Sequence, residues 1–194
     1  MPISIRTIVI AGATALAVAA AAVAAPAAKD PGTLILQRKD FPARSDYEAG
    51  DELDYTSALK AVGARVAGYY AGTYSEKRGH LQLHGAVITT GDVKTAKQAL
   101  GLAVKHLQAT WKATGVVYKP GGGVPSYGDQ QSVFSKQATI MSSTGAIALV
   151  VRKRAVVWVL WALLDHVPQP PKMAEVLAGL EAYAAKQKTR VGAG

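Results

Sequence analysis

AVVWVLWALL, residues Ala155 to Leu164, is the stretch that decides the architecture. Side chains alternate across a strand, which puts Val156, Trp158, Leu160 and Ala162 on one face and Val157, Val159, Trp161 and Leu163 on the other. Both faces are apolar. A strand of that kind belongs at the centre of a sheet, covered on both sides. Ten residues are too few for a membrane-spanning helix, and Arg152-Lys153-Arg154 blocks extension towards the N-terminus.

Upstream, Gln131–Ile140 and Ala146–Val151 are β-rich runs, and Arg152-Lys153-Arg154 reads as the tip of the hairpin between the last two strands. Residues 115–129 hold Gly121-Gly122-Gly123, two prolines and Gly128, the composition of a loop. Before it the period changes: Val93, Ala96, Leu100, Val104, Leu107 and Trp111 recur at three or four. That is a helix, capped by Asp92 and stopped by Gly115. Ala64–Ser75 and His80–Thr90 flank Glu76-Lys77-Arg78-Gly79, a hairpin signal. Asp54 is placed to cap a short helix over Tyr55–Val62, with Gly63 as its stop.

Thr33–Phe41 (TLILQRKDF) reads as an opening strand broken by Pro42, and residues 43–54 as a polar, acidic loop. After Pro168, Pro170 and Pro171, a final helix is marked by Met173, Val176, Leu177, Leu180 and Ala184. The order β-α-β-β-α-β-β-β-α makes an α+β fold, a mostly antiparallel sheet of about six strands with helices packed on it. No 20–50-residue period repeats, which excludes solenoids and propellers.

Residues 1–28 read as a secretory signal peptide: Arg6, an apolar run from Ile8 through Val23, then small residues that place cleavage after Ala24 or Ala28. The competing reading is a retained anchor helix. Residues 29–194 then form one domain, and its setting is extracytoplasmic. Cysteine is absent, which excludes a disulfide framework, a thiolate zinc site and a cysteine nucleophile.

The formal net charge is +9, and its distribution matters more than its sum. Seven of the thirteen acids fall between Asp30 and Asp54; from Lys77 onward fifteen Lys/Arg face five Asp/Glu. The C-terminal two-thirds should carry a positive field that attracts anionic surfaces or polymers.

TLILQRKDFP, the tyrosine-rich run around Gly68-Tyr69-Tyr70, the Ala-rich helix after Asp92, and Gly128-Asp129-Gln130-Gln131-Ser132 before a hairpin ending VVRKRAVVWVLWA form a pattern. It resembles exported bacterial domains of unknown or sensory role with a PsbP-like α/β/α sandwich, over most of residues 32–165. Members often carry Gly or Asn at the last hairpin turn, where this chain has Arg152-Lys153-Arg154-Ala155. The resemblance implies a binding or sensing domain, with no catalytic residues to carry over.

Candidate chemistry is thin. His80 and His84 would share a metal ion on a helix; on a strand they lie about 13 Å apart, which is too far. Ser126, Ser132 or Ser135 with Asp129 and His106 or His166 can be drawn as a triad, but no Gly-x-Ser-x-Gly elbow is present. Gly121-Gly122-Gly123 lacks the strand, helix and Lys-Ser/Thr pair of a phosphate loop. Asp165-His166 closes the central strand, where neighbours point to opposite faces. No catalytic residue, metal site or cofactor is assigned.

Two surfaces remain. Tyr69, Tyr70, Tyr74 and Tyr127 are candidates to line a ligand surface, with packing under the helices as the equal alternative. Lys119, Lys136, Arg152, Lys153 and Arg154 are candidates for an anion-binding patch, against a solvated hairpin tip. The expected partner is a small ligand or an anionic envelope component such as wall polymer or lipid headgroups. Nucleic acid is disfavoured, because no basic groove interleaved with aromatics is evident. A non-catalytic binding or sensing domain is the leading expectation, electrostatic attachment to the envelope the second, and a hydrolase the third.

Overall fold

The strand Val156–Asp165 (β7) does lie at the centre of the sheet, and the rest of the chain is arranged around it. A computed structural model describes residues 28–50, 56–75, 79–113, 119–120, 124–136, 145–165 and 173–193. The other strands are β1 (Asp46–Gly50), β2 (Arg65–Ser75), β3 (Gly79–Thr89), β4 (Lys119–Pro120), β5 (Gln130–Lys136) and β6 (Gly145–Lys153). The helices are α1 (Pro31–Leu34), α2 (Thr56–Ala61), α3 (Val93–Ala113) and α4 (Met173–Ala193).

All pairings are antiparallel, in the order β1-β2-β3-β7-β6-β5-β4. Two meanders, β1-β2-β3 and β4-β5-β6-β7, meet where β3 pairs with β7 from His80↔Asp165 to Thr89↔Val156. The fold is α+β, as its sequence pattern indicates. The alternation in β7 sorts the core into two layers. Trp158, Leu160 and Ala162 pack with Val176, Leu180 and Ala184 of α4, together with Leu34, Ile35 and Leu36. Val157 and Val159 pack with Ala96, Ala99, Ala103 and Leu107 of α3, and with Leu59 of α2. Alanines along α3 let its backbone approach the sheet closely.

Local signals set the element ends. Asp92 caps α3: its Oδ1 accepts from the Thr95 amide and its Oδ2 from the Thr95 hydroxyl, each at 2.8 Å. Those bonds hold the Asp92 carboxyl below its ordinary range. Gly63 follows α2 in the left-handed region at φ +77, where a Cβ would be strained.

Three expectations are corrected. TLILQRKDF is not a strand: Pro31 begins a one-turn helix, Arg38–Asp40 is a 3-10 turn, and Leu34, Ile35 and Leu36 are buried in succession. Three consecutive buried residues do not fit a half-buried strand of period two. Their carbonyls find side chains instead of a neighbouring strand, Leu34 O accepting from Gln187 Nε2 at 2.7 Å and Leu36 O from Tyr47 Oη at 2.9 Å. Asp40 ties the same segment to α4 through Arg190 at 2.5 Å.

The polar stretch 43–54 is not all loop, because Asp46–Gly50 pairs with β2 as the edge strand. Its Asp46 and Glu48 are exposed, and charge on an edge discourages pairing with another chain. Finally, β6 continues through Arg152 and Lys153, so the turn is Arg154-Ala155 alone, with Arg154 at φ 54. The triple glycine, residues 137–144 and the prolines before α4 lie outside the described residues.

Tyr69 lies over Gly85, its cross-strand partner, where a Cβ would come within 2.3 Å of the ring. Burial raises its phenol pKa well above the ordinary value, and its hydroxyl, like Trp158 Nε1, has no hydrogen-bond partner among the described residues. An unsatisfied buried donor of this kind costs about 1–3 kcal/mol. Tyr69→Phe is therefore expected to raise stability by about 1 kcal/mol in denaturant melts. Gly85→Ala, which drives a methyl group into the ring, is expected to lower it by about 1–3 kcal/mol.

Candidate functional site

The register carries one row of residues straight across the sheet on the α3 face: Glu48 opposite Tyr70, Tyr70 opposite His84, His84 opposite Trp161. Cross-strand neighbours touch, and aromatic pairs are favoured there. The His84 and Trp161 rings stack at 3.9 Å and 3° between planes; Tyr70 meets His84 edge-on at 4.8 Å. Further along the same row, Ala148 and Phe134 are buried. Tyr70, His84 and Trp161 are only half-buried.

The next positions along β2 and β3 add polar tips. A Cβ on Gly72 would lie 2.6 Å from Tyr70 Oη and 3.0 Å from His80 Nε2, so both groups converge over that glycine. Gln82 Nε2 and His80 Nδ1 lie within hydrogen-bond distance of each other, at 3.3 Å. Burial pushes the His84 imidazole down from 6.5 to about 4, so the ring is neutral at physiological pH. The result is a flat, uncharged aromatic ledge edged by an imidazole, an amide and a phenol.

The four tyrosines singled out in the sequence do not come together. Tyr69 and Tyr127 point to the α4 face and are buried. Tyr127 meets Trp158 edge-on at 6.1 Å. Tyr69 belongs to a ring cluster with Phe41, Tyr47 and Tyr183. Tyr70 alone faces the ledge with a described side chain; Tyr74 follows on the same strand, opposite His80. His84, Trp161, His80 and Gln82 were missed as site residues. The hairpin register could have aligned Tyr70 with His84, but the pairing of β3 with β7 has no local signal.

The proposed anion patch also separates. Lys136 pairs with Ala146 and Lys119 with Ser135, whereas Arg152 pairs with Gln130 at the other end of β5. Six residues of strand, about 20 Å, lie between the two groups. Arg152 is buried and already partnered: its Nε donates to Gln130 Oε1 at 2.7 Å, and its Nη1 to Asp129 Oδ2 at 3.2 Å. Asp129 Oδ2 also accepts the Arg154 amide at 2.7 Å, and the Asp129 amide donates to Arg152 O at 2.8 Å. This clasp holds the β6–β7 turn in its left-handed form. The Asp129 carboxylate is thereby engaged by the Arg152 guanidinium and the Arg154 amide.

His80 and His84 sit on one strand face four residues apart, as the strand reading placed them. Among the described residues, no group of three His, Asp or Glu is arranged to hold a metal ion.

Neither a family model nor a curated protein matches the chain. Among solved structures it is similar to the extracellular domain of PknH from Mycobacterium tuberculosis, at 10% identity and a TM-score of 0.46, over 80% of this chain and 95% of that one. A likeness of that degree leaves function to the residues themselves.

The His84 shift fixes a pH dependence. Its folded value lies below the unfolded one, so between pH 6.5 and about 4 the unfolded chain binds the extra proton. The stabilisation is complete above 6.5 and is lost as pH falls towards 4. Discounted for solvent screening of a half-buried ring, the loss is on the order of 1–2 kcal/mol. Urea melts of the parent chain should weaken over that interval, and His84→Phe should flatten the slope.

Proposed function

We propose that the chain is an exported, non-catalytic binding domain whose ligand lies flat on the Tyr70–His84–Trp161 ledge. The observation that supports this most directly is the ladder itself: three aromatic rings aligned across three adjacent strands and half-buried, where Ala148 and Phe134 further along the row are buried. A neutral His84 and the exposed Glu48 in the same row disfavour an anionic ligand. Polar tips beside a flat apolar surface suit a neutral ring with hydroxyl or amide groups. An envelope saccharide bearing N-acetyl groups has that chemistry, with its C–H face on the rings and its polar groups at Gln82, His80 and Tyr70.

Export rests on the N-terminal sequence, the charged Arg6 followed by Ile8–Val23. Among the described residues, no helix is long and apolar enough to cross a membrane. The sequence resemblance to exported PsbP-like domains implies a binding or sensing role and supplies no ligand.

Titration with N-acetylglucosamine oligomers, followed by tryptophan fluorescence and amide shifts, tests the reading. Trp161→Ala and Tyr70→Ala are each expected to weaken binding at least tenfold, about 1.4 kcal/mol, while circular dichroism shows the fold retained. Shifts confined to the α4 face, or affinity unchanged in both variants, would remove the ledge from the account.

A further inference from the structure

We infer that the end of the sheet opposite the β2–β3 hairpin is a surface that docks on an anionic lipid bilayer. Arg65, Thr89, Val156 and Lys153 form the last row across β2, β3, β7 and β6. The chain enters at this row: Ala28 O accepts from Arg65 Nη1 at 3.2 Å and Lys29 O from the Thr89 hydroxyl at 2.8 Å. The described part of the chain therefore begins at this end. Thr90 donates from its amide and its hydroxyl to Ala155 O, at 3.1 and 2.8 Å, which fastens the start of α3 to the β6–β7 turn.

The same end gathers charge. Lys29, Lys60, Lys94, Arg154 and Lys188 are exposed and Lys153 is half-buried. Lys60 lies in the last turn of α2, Lys94 in the first turn of α3, and Lys153 Nζ lies 3.1 Å from where a Cβ of Gly192 would be, at the C-terminus of α4. Lys188 Nζ is 3.4 Å from Ser126 O, beside the start of β5. The acids here have structural partners: Asp30 pairs with Arg65, Asp92 caps α3 and Asp129 holds Arg152. Among the described residues, the cations at this end thus outnumber the acids.

An apolar group completes the surface. Val93 is 45% exposed and is the one exposed large hydrophobic residue among the described residues. It stands next to Lys94, in the turn that Thr90 pins to Arg154-Ala155. Cations around an exposed aliphatic side chain match the boundary between headgroups and acyl chains. A wall polymer offers the charge without the apolar layer, so the bilayer is the better complement. Each Lys or Arg near such a surface is worth about fivefold in partitioning.

The test uses the full chain and sediments it with vesicles of phosphatidylcholine alone or mixed with phosphatidylglycerol. The N-terminal apolar run acts in both, so the difference between the two reports on the basic end. Partitioning is expected to favour the mixed vesicles by on the order of 100-fold at low salt, a margin that shrinks as salt rises. K94E/R154E/K188E should abolish the margin, while K105E/K119E/K136E, with the same change in net charge, should keep most of it. Because the chain has no cysteine, a polarity-sensitive dye can be placed on V93C or on K105C alone. A blue shift with mixed vesicles at position 93 but not at 105 supports the proposal, and decides the matter should the triple variant unfold. Equal losses in the two triple variants, no shift at 93, or tighter binding to purified anionic wall polymer than to vesicles would overturn it.

Discussion

Everything in this molecule depends on the antiparallel pairing of β3 with β7. Within each meander every strand pairs with its neighbour in sequence, so each meander can form before the other is in place. Neither alone can cover both faces of β7, whose side chains are apolar on either side. Joining β3 to β7 creates a sheet wide enough for α3 to lie on one face and α4 on the other, and divides the core into two separate layers. The same pairing sets His84 against Trp161. Core and candidate site therefore share one register, and a slip of one residue would turn the ledge to the wrong face while exposing Trp158.

The two ends of the sheet differ in character because of where the chain places its charges. Among the described residues, the acids of the N-terminal third lie on β1 at the edge or are held in ion pairs, Asp30 with Arg65 and Asp40 with Arg190. Lys60 of α2, Lys94 of α3, Lys188 of α4 and Arg154 of the β6–β7 turn meet at the end where residue 28 enters. Arg152 shows why sequence charge alone misleads. It sits in a run of three cations, yet it is the one that is buried, held by Gln130 and Asp129. Arg154 shows the complementary point, since its exposure follows from a left-handed backbone that Asp129 stabilises through the amide.

Legibility in the sequence followed the range of the interaction. β7, α3 with its Asp92 cap, the β2–β3 hairpin and the stop at Gly63 are written in neighbouring residues and read correctly. Leu34-Ile35-Leu36 imitates a strand in composition, and only the carbonyl partners on Tyr47 and Gln187 reveal that it is a plug under α4. Asp46–Gly50 carries no apolar signal because an edge strand is held by backbone bonds to β2. Alternation already separated Tyr69 from Tyr70, whereas bringing His84 to Trp161, or parting Lys136 from Arg152, required the pairing of distant strands.

The plug also couples the beginning of the domain to its end. Leu34, Ile35 and Leu36 are roofed by Val176, Leu180 and Ala184 of α4, and Asp40 is held by Arg190. These contacts close only when the last twenty or so residues have arrived, so a nascent chain that has formed both meanders still lacks its lid. Were the chain exported as an extended polypeptide, that ordering would postpone locking until α4 had passed through, and would keep a premature, wedge-like folded body out of the channel.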